Sequence, residues 1–311
     1  FESVSHFDDK KMRLYPDPTA DLLVSELADF YHLDKNQIFV GVGSDDVLAM
    51  CFLTFFNSER PIFFPDITYS FYDVWANMLR IPFETKALDD DFQIKKEDYY
   101  GENGGVVFPN PNAPTGILMP LSEIKDIIAH NRDVIVVVDE AYIDFGGESA
   151  LPLIEKYDNL LVVQTFSKSR SLAGMRLGFA MGNEKLIRYI NDVKYSFNSY
   201  TLNQTALVLG VQAIKDREYF EETCAKVIAT REWTKCELKK LGFSFGDSMS
   251  NFIFATHERV PAKEIFEALR EHNIFVRYFS KPRISNYLRI SIGTQQEMER
   301  LTAFLAVFLG E

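Results

Sequence analysis

The sequence predicts an α/β fold: a mostly parallel, doubly wound sheet followed by a smaller α+β unit. Three observations carry this. Between about residue 38 and residue 182, short apolar, β-branched runs alternate with helical patterns. One of those runs, 134–138, is apolar on both faces, as a strand covered on each side by helices must be. The length of 311 residues, 47% hydrophobic and 25% charged, suits two domains of roughly 150 residues, each able to bury a core.

The elements follow in order. Strands are expected at 38–42, 61–64, 106–108, 134–138, 160–164 and 177–181, with helices at 45–56, 69–79 and 121–131 between them. Alternation of this kind implies crossover connections and parallel strands. After about residue 200 the rhythm changes. A long helical region places Phe220, Cys224, Val227 and Ile228 on one face. A strand (251–255), a helix (262–271), two strands (275–279 and 287–292) and a last helix follow, the last with a stripe of Leu301, Phe304, Leu305 and Phe308. The chain therefore divides into an N-terminal arm (1–14), a large domain (15–212) and a smaller α+β domain (213–311).

Charge and absences exclude several classes. Lys plus Arg total 33 against 45 Asp plus Glu, a formal net charge of −12. An acidic surface repels phosphate backbones and no basic stripe offsets it, so nucleic acid is not an expected partner. The acidic run Asp89-Asp90-Asp91 reads as a solvated loop. No stretch approaches the roughly 18 apolar residues that span a bilayer. The first residues lack the apolar core of a signal peptide, and the chain opens on Phe1 without Met, which reads as trimmed. Cys51, Cys224 and Cys236 show no C-x-x-C spacing and fit reduced thiols in a cytoplasm. The five His (6, 32, 130, 257 and 272) are scattered without ligand spacing, so no metal is expected. Small molecules remain as partners.

In open α/β sheets ligands sit at the carboxyl ends of the strands. Gly43-Ser44-Asp45-Asp46 follows the first strand and opens a helix; Asp46 stands where a dinucleotide loop needs its third glycine. Such a start still offers backbone N–H groups and a positive dipole end to a phosphate, although a plain Ser or Asp N-cap would read the same way. Pro109-Asn-Pro-Asn-Ala-Pro-Thr-Gly116 after 106–108 makes a stiff turn suited to a cis X-Pro bond. Asp139 ends the fully buried run, where a carboxylate is costly unless paired. Lys168 sits among Thr165, Ser167 and Arg176 after 160–164. A desolvated lysine can act as an amine nucleophile, and two hydroxyls with a guanidinium fork suit a phosphate. A phosphate site, a rigid turn, a buried acid and an amine are together what pyridoxal phosphate asks for: a Lys for the Schiff base, an Asp facing the pyridine nitrogen, and phosphate anchors.

The ordered motifs Y-P-D (15–17), G-S-D (43–45), P-D-I-T-Y (65–69), N-P-N-A-P-T-G (110–116), D-E-A-Y (139–142), S-K-S-R-S-L-A-G-M-R-L-G (167–178) and Y-L-R-I-S-I-G (287–293) resemble the fold-type-I aminotransferases, in their histidinol-phosphate aminotransferase branch. That resemblance implies roles. Lys168 would bond pyridoxal 5'-phosphate and shuttle the proton between substrate and cofactor carbons. Asp139 would keep the ring nitrogen protonated, Tyr142 would donate to the ring's phenolate oxygen, and Tyr69 would stack on the ring. Ser44, Asp45, Thr165, Ser167 and Arg176 would surround the phosphate. Tyr15 would reach the phosphate site of a partner subunit, implying a homodimer.

At the substrate end, Leu288, Ile290 and Ile292 point one way along their strand, so Arg289 points the other. Arg289 resembles the family's substrate-anion arginine, and Arg277 on the preceding strand resembles a second anion contact; a surface ion pair is the plain alternative for Arg277. Two departures from the family stand out. Ala113 occupies the place of the Asn that bonds the phenolate oxygen, leaving Asn112 or Tyr142 to act. The Asn/Pro-rich arm that touches substrate would lie upstream of Phe1. The expected reaction moves an amino group between L-histidinol phosphate and 2-oxoglutarate in histidine biosynthesis. Its nearest rivals are an aromatic or aspartate-type aminotransferase and a threonine-phosphate decarboxylase of the same fold.

Overall fold

The computed structural model describes residues 9–310, so residues 1–8 of the expected arm lie outside the described residues. Seven strands form the larger sheet: β1 (Ile38–Gly41), β2 (Ile62–Pro65), β3 (Phe83–Lys86), β4 (Val106–Pro109), β5 (Val136–Asp139), β6 (Leu160–Thr165) and β7 (Gly178–Gly182). Their order is β1-β7-β6-β5-β4-β2-β3, parallel except for β7, which runs antiparallel to both β1 and β6.

Alternation along the central strands decides which residues meet which helices. Val136 and Val138 join one apolar layer, with residues of α1 (Asp21–Tyr31), α4 (Leu121–His130) and α6 (Gln204–Lys215). Val137 joins the opposite layer, with α2 (Gly43–Phe55), α3 (Tyr72–Leu79) and α5 (Glu184–Phe197). Asp139 shares the parity of Val137 and Glu140 that of Val138. The two acids therefore leave the end of β5 toward opposite layers.

A second sheet, order β10-β11-β9-β8 and wholly antiparallel, contains β8 (Phe243–Phe245), β9 (Phe252–His257), β10 (Arg277–Tyr278) and β11 (Leu288–Ser291). Its core draws Leu238 from α7 (Arg217–Lys240), Ile265 and Leu269 from α8 (Ala262–Glu271), and Leu301 and Leu305 from α9 (Gln295–Leu309). Helix α7 ties the two sheets together. Buried Arg231 donates through Nη1 to the carbonyls of Phe145 (2.8 Å) and Ser250 (3.0 Å).

Several boundaries move. The division expected at residue 212 falls inside α6, whose Ile214 still packs in the first core. The helix expected from residue 69 begins at Tyr72, because Ile67, Thr68 and Tyr69 are used in the loop. On α9 Phe308 is exposed, and Met298 and Thr302 are buried instead. Helix α1 escapes a periodicity search because its buried stripe, Leu23, Val24, Leu27 and Ala28, is short and Ala20 gives no side-chain cap. Strand β3 is an edge strand reading Phe-Glu-Thr-Lys, with Phe83 and Lys86 half-buried and Glu84 and Thr85 exposed, so it lacks an apolar run.

Glu140, 1% exposed, fastens β5 to β6 and to the segment after it. Its carboxylate accepts from Ser149 Oγ (2.6 Å), the Ala150 N–H (2.6 Å) and Gln164 Nε2 (2.9 Å), and Gln164 Oε1 accepts from the Tyr31 hydroxyl on α1 (2.7 Å). Burial outweighs these donors and pushes the carboxyl up to about 7 from 4.5. The unfolded chain therefore ionises this group first. Stability held by the neutral form is complete below about pH 4.5 and drains away as pH rises to about 7. Glu140→Gln should flatten that loss by on the order of 1–3 kcal/mol. Urea midpoints at pH 5 and pH 8 for both proteins check it; equal pH slopes would count against the assignment.

Candidate active site

The end of β5 sets the site. Asp139 is 5% exposed, and its Oδ2 accepts from the hydroxyl of Tyr72 (2.9 Å) while Oδ1 accepts from the Ala141 N–H (3.2 Å). Loss of solvent raises its carboxyl to about 6. The nearby Asp45 carboxylate pushes the same way, whereas the two donors and the Lys168 ammonium pull it down. A cation or N–H donor brought to this carboxylate would relieve the cost of its burial. Tyr72 was not foreseen, although Tyr69 and Tyr72 at i and i+3 and a buried acid in want of a donor were signals for it.

Next to it, two glycines make room for a phosphate-sized cradle. Gly43 opens α2 at φ 85°, and a Cβ there would lie 2.6 Å from Nη2 of Arg176. Gly178 starts β7, and a Cβ there would lie 2.3 Å from the backbone nitrogen of Ser44. Antiparallel β7 thus presses directly on the N-terminus of α2, whose first-turn N–H groups have no intrahelical partner and no side-chain cap. Arg176 Nη2 reaches Asp45 Oδ2 at 3.2 Å, and Asp45 Oδ1 accepts from the Tyr69 hydroxyl at 2.7 Å. With its carboxylate so engaged, Asp45 can serve an anion only through its backbone N–H. Thr165 Oγ1 donates toward Ser167 Oγ (3.0 Å) and the Leu177 carbonyl (3.2 Å), putting both hydroxyls at the same corner.

Lys168 stands between cradle and cleft. Its half-buried Nζ lies 5.4 Å from the centroid of the Tyr142 ring. Tyr142 meets Phe252 edge to face at 5.1 Å, and Arg289 Cζ lies 5.0 Å from the Phe252 ring. This series of contacts runs from the amine to the second sheet. Arg289 and Arg277 are direct cross-strand partners on β11 and β10. Like charges so placed repel, neither arginine has a carboxylate partner among the described residues, and Arg289 Nε is buried without an acceptor. The expected alternation holds: Leu288 and Ile290 are buried, while Arg289 is half-buried and Ser291 exposed. Among the described residues Arg277 makes no ion pair, the plain alternative for it.

Both N–H groups of Asn112 are spent, on the Ile67 carbonyl (2.9 Å) and Thr115 Oγ1 (3.1 Å), and only its Oδ1 is free. It braces the Tyr69 loop through the Ile67 carbonyl. The Asn-Pro turn around it contains two cis bonds, Asn110-Pro111 and Ala113-Pro114. Tyr15 lies at the surface, 80% exposed, its ring 4.7 Å from that of Tyr200.

Pyridoxal phosphate fits these residues. A helix start with bare N–H groups, two glycine gaps, two hydroxyls and Arg176 make an anion cradle. Asp139 offers a buried carboxylate that a protonated ring nitrogen would satisfy, and Lys168 lies near enough to lower the pKa of Asp139. Among the described residues no group of His, Cys, Asp and Glu could hold a metal ion.

The family model for aminotransferases of class I and II matches residues 2–305. The histidinol-phosphate aminotransferase of Clostridium botulinum (strain Langeland) is 54% identical over 288 residues, covering 93% of this chain and 81% of that protein. The enzyme of the same name from Lactococcus lactis subsp. cremoris (strain SK11) is 50% identical over 306 residues, 98% of this chain and 86% of that one. Among solved structures, the histidinol-phosphate aminotransferase of Clostridium acetobutylicum superposes with a TM-score of 0.89 at 21% identity, over 97% of this chain and 92% of the other. That of Sinorhizobium meliloti, in complex with pyridoxal-5'-phosphate, superposes with a TM-score of 0.88 at 22% identity, over 97% and 84%. Matched over almost its whole length and placed beside relatives sharing half of its residues, the chain belongs to the class I and II aminotransferases, with the histidinol-phosphate aminotransferases.

Proposed function

We propose that the chain transfers the amino group of L-histidinol phosphate to 2-oxoglutarate, giving imidazole-acetol phosphate and L-glutamate in histidine synthesis. The observation that carries the substrate is the pair Arg277 and Arg289, facing across two strands with no carboxylate among the described residues to neutralise them. Two guanidinium forks suit a phosphate dianion, and one of them suffices for the carboxylate of an oxo acid.

The enzymes of this family work with pyridoxal phosphate, whose ring, when bound, draws off the electron pair left on a carbon that loses its proton. The residues here do the rest. The first-turn N–H groups at Ser44 and Asp45, the hydroxyls of Thr165 and Ser167, and Arg176 hold the phosphate. Asp139 would keep a proton on the ring nitrogen, Tyr142 would donate to the phenolate oxygen, and Tyr69 would lie against the ring face. Lys168 Nζ would take the proton that leaves the nitrogen-bearing carbon of the substrate and hold it for the cofactor carbon on the far side of that nitrogen. Arg289 Cζ lies 5.0 Å over the Phe252 ring.

We assign Tyr15 to the phosphate site of a second subunit. Its ring and that of Tyr200 are in contact and both are exposed, and an aromatic pair at the surface suits cover by another copy. Three unpaired cysteines, two of them buried, accord with a cytoplasmic setting.

Three outcomes are expected. Lys168→Ala should lower kcat by about a thousandfold or more with melting unchanged, and Asp139→Asn by at least about tenfold; single-turnover assays measure both, and near-normal rates would remove the assigned roles. Histidinol phosphate should exceed phenylalanine, aspartate and threonine phosphate in kcat/KM, and Arg289→Lys should raise its KM about tenfold. A rival donor ahead by tenfold would overturn the substrate. Mixing Tyr15→Ala with Lys168→Ala chains should restore activity, because one of the two shared sites is then intact; silence from the mixture, with each variant dimeric, would refute the shared site.

A further inference from the structure

The strands that carry Arg277 and Arg289 are joined by a turn, 281–286, and this turn is fastened to the larger sheet's side of the molecule. Arg283, in left-handed backbone at φ 65°, donates through Nη1 to Asp66 Oδ2 (2.8 Å) and through Nη2 to the carbonyls of Leu88 (2.8 Å) and Asp89 (2.9 Å). Its neighbour Ile284 is 3% exposed and packs into the larger sheet's core. Phe92 sets its edge against Phe254 (5.7 Å) and Tyr287 (5.2 Å), which stack on each other beside Arg289. The acidic run is a solvated loop only in part. Asp90 and Asp91 are exposed, whereas Asp89 gives its carbonyl to Arg283 and caps the N–H groups of Asp91 and Gln93.

The receiving side is equally fixed. The Asp66 N–H donates to the Lys86 carbonyl, and Asp66 Oδ1 accepts from the Leu88 N–H at 3.0 Å. Asp66 also directly precedes the Ile67-Thr68-Tyr69 stretch, which Asn112 and Asp45 hold in place. One guanidinium therefore touches the segment that presents Tyr69 and belongs to the turn that presents both arginines.

We propose that Arg283 is a positioning residue that sets where the substrate's anionic end sits relative to the ring-holding loop. An exposed ion pair alone would contribute little; here a planar fork takes three acceptors at once, which fixes direction as well as distance. Arginines shifted away from the substrate's anionic end lose binding in the ground state and the transition state alike, which raises KM and leaves kcat in place. The proposal rests on the reading of Arg277 and Arg289 as the substrate-anion site, and Arg283 itself touches neither substrate nor cofactor.

The test uses the full chain loaded with pyridoxal phosphate. Arg283→Ala should raise KM for histidinol phosphate at least about fivefold, leave kcat within about twofold, and leave the visible spectrum without substrate unchanged. Arg283→Lys, keeping the charge but not the fork, should recover less than half of that loss. Asp66→Asn should act in the same direction, and the double variant should be no worse than the stronger single one. Hydrogen exchange should quicken at the amides of Ile284 and Tyr287. An unmoved KM, additive effects, or a fall in kcat alone would overturn the proposal. Arg289→Lys, assayed beside them, separates the two ideas. If KM ignores Arg289 while exchange in the turn quickens in Arg283→Ala, the anion reading falls together with the substrate role of Arg283, and the tie between the segments remains.

Discussion

A carboxylate at the mouth of a fully apolar strand is the constraint from which the site grows. Val136, Val137 and Val138 are fully buried and Asp139 is 5% exposed, so its charge must be met by what the fold brings to it. Tyr72 and the Ala141 N–H meet part of the demand, and the remainder is an electrostatic appetite for a cation. Strand parity gives this demand a direction. Because Asp139 faces the α2 and α3 layer, the helix start with its bare N–H groups, Tyr69 of the β2–α3 loop and Tyr72 at the start of α3 lie on the same side. Glu140, one residue on, faces the other way and spends its carboxylate on structure.

The second requirement is close approach. A purely parallel sheet would carry the chain away after β6; the reversal at β7 brings Arg176 and Gly178 back against the opening of α2. Gly43 and Gly178 are small for one reason: side chain and backbone of the opposite segment already occupy their Cβ positions. The proposed substrate end belongs to a separate sheet whose paired arginines would repel each other without an anion between them.

How much of this could be read from the chain differs by residue. Asp139, Lys168, Arg176 and Arg289 were visible because strand ends and alternation mark them without any knowledge of packing. The β7 reversal was not, since an apolar run has no sign of direction, and neither was the edge strand β3, whose Phe-Glu-Thr-Lys lacks a covered face. Tyr72 looked like core because its ring is core; only its hydroxyl serves the site. Asn112 shows the reverse error. Its side chain type fitted a donor to the ring, but the turn it sits in takes both N–H groups first. Arg283 was hidden in a run of turn residues, where partners 194 or more positions away leave no local pattern.

The segment from Phe166 to Leu177 is clasped at its ends by the Phe166 N–H on the Leu177 carbonyl (3.0 Å), and again by the Leu172 N–H on the Phe166 carbonyl (3.0 Å). Amine and guanidinium are thus borne by one short lasso with a single knot. Loosening the knot would release grip and reactivity in the same event, so damage here should produce all-or-none molecules, a shrinking population of fully competent enzyme instead of a uniformly sluggish one.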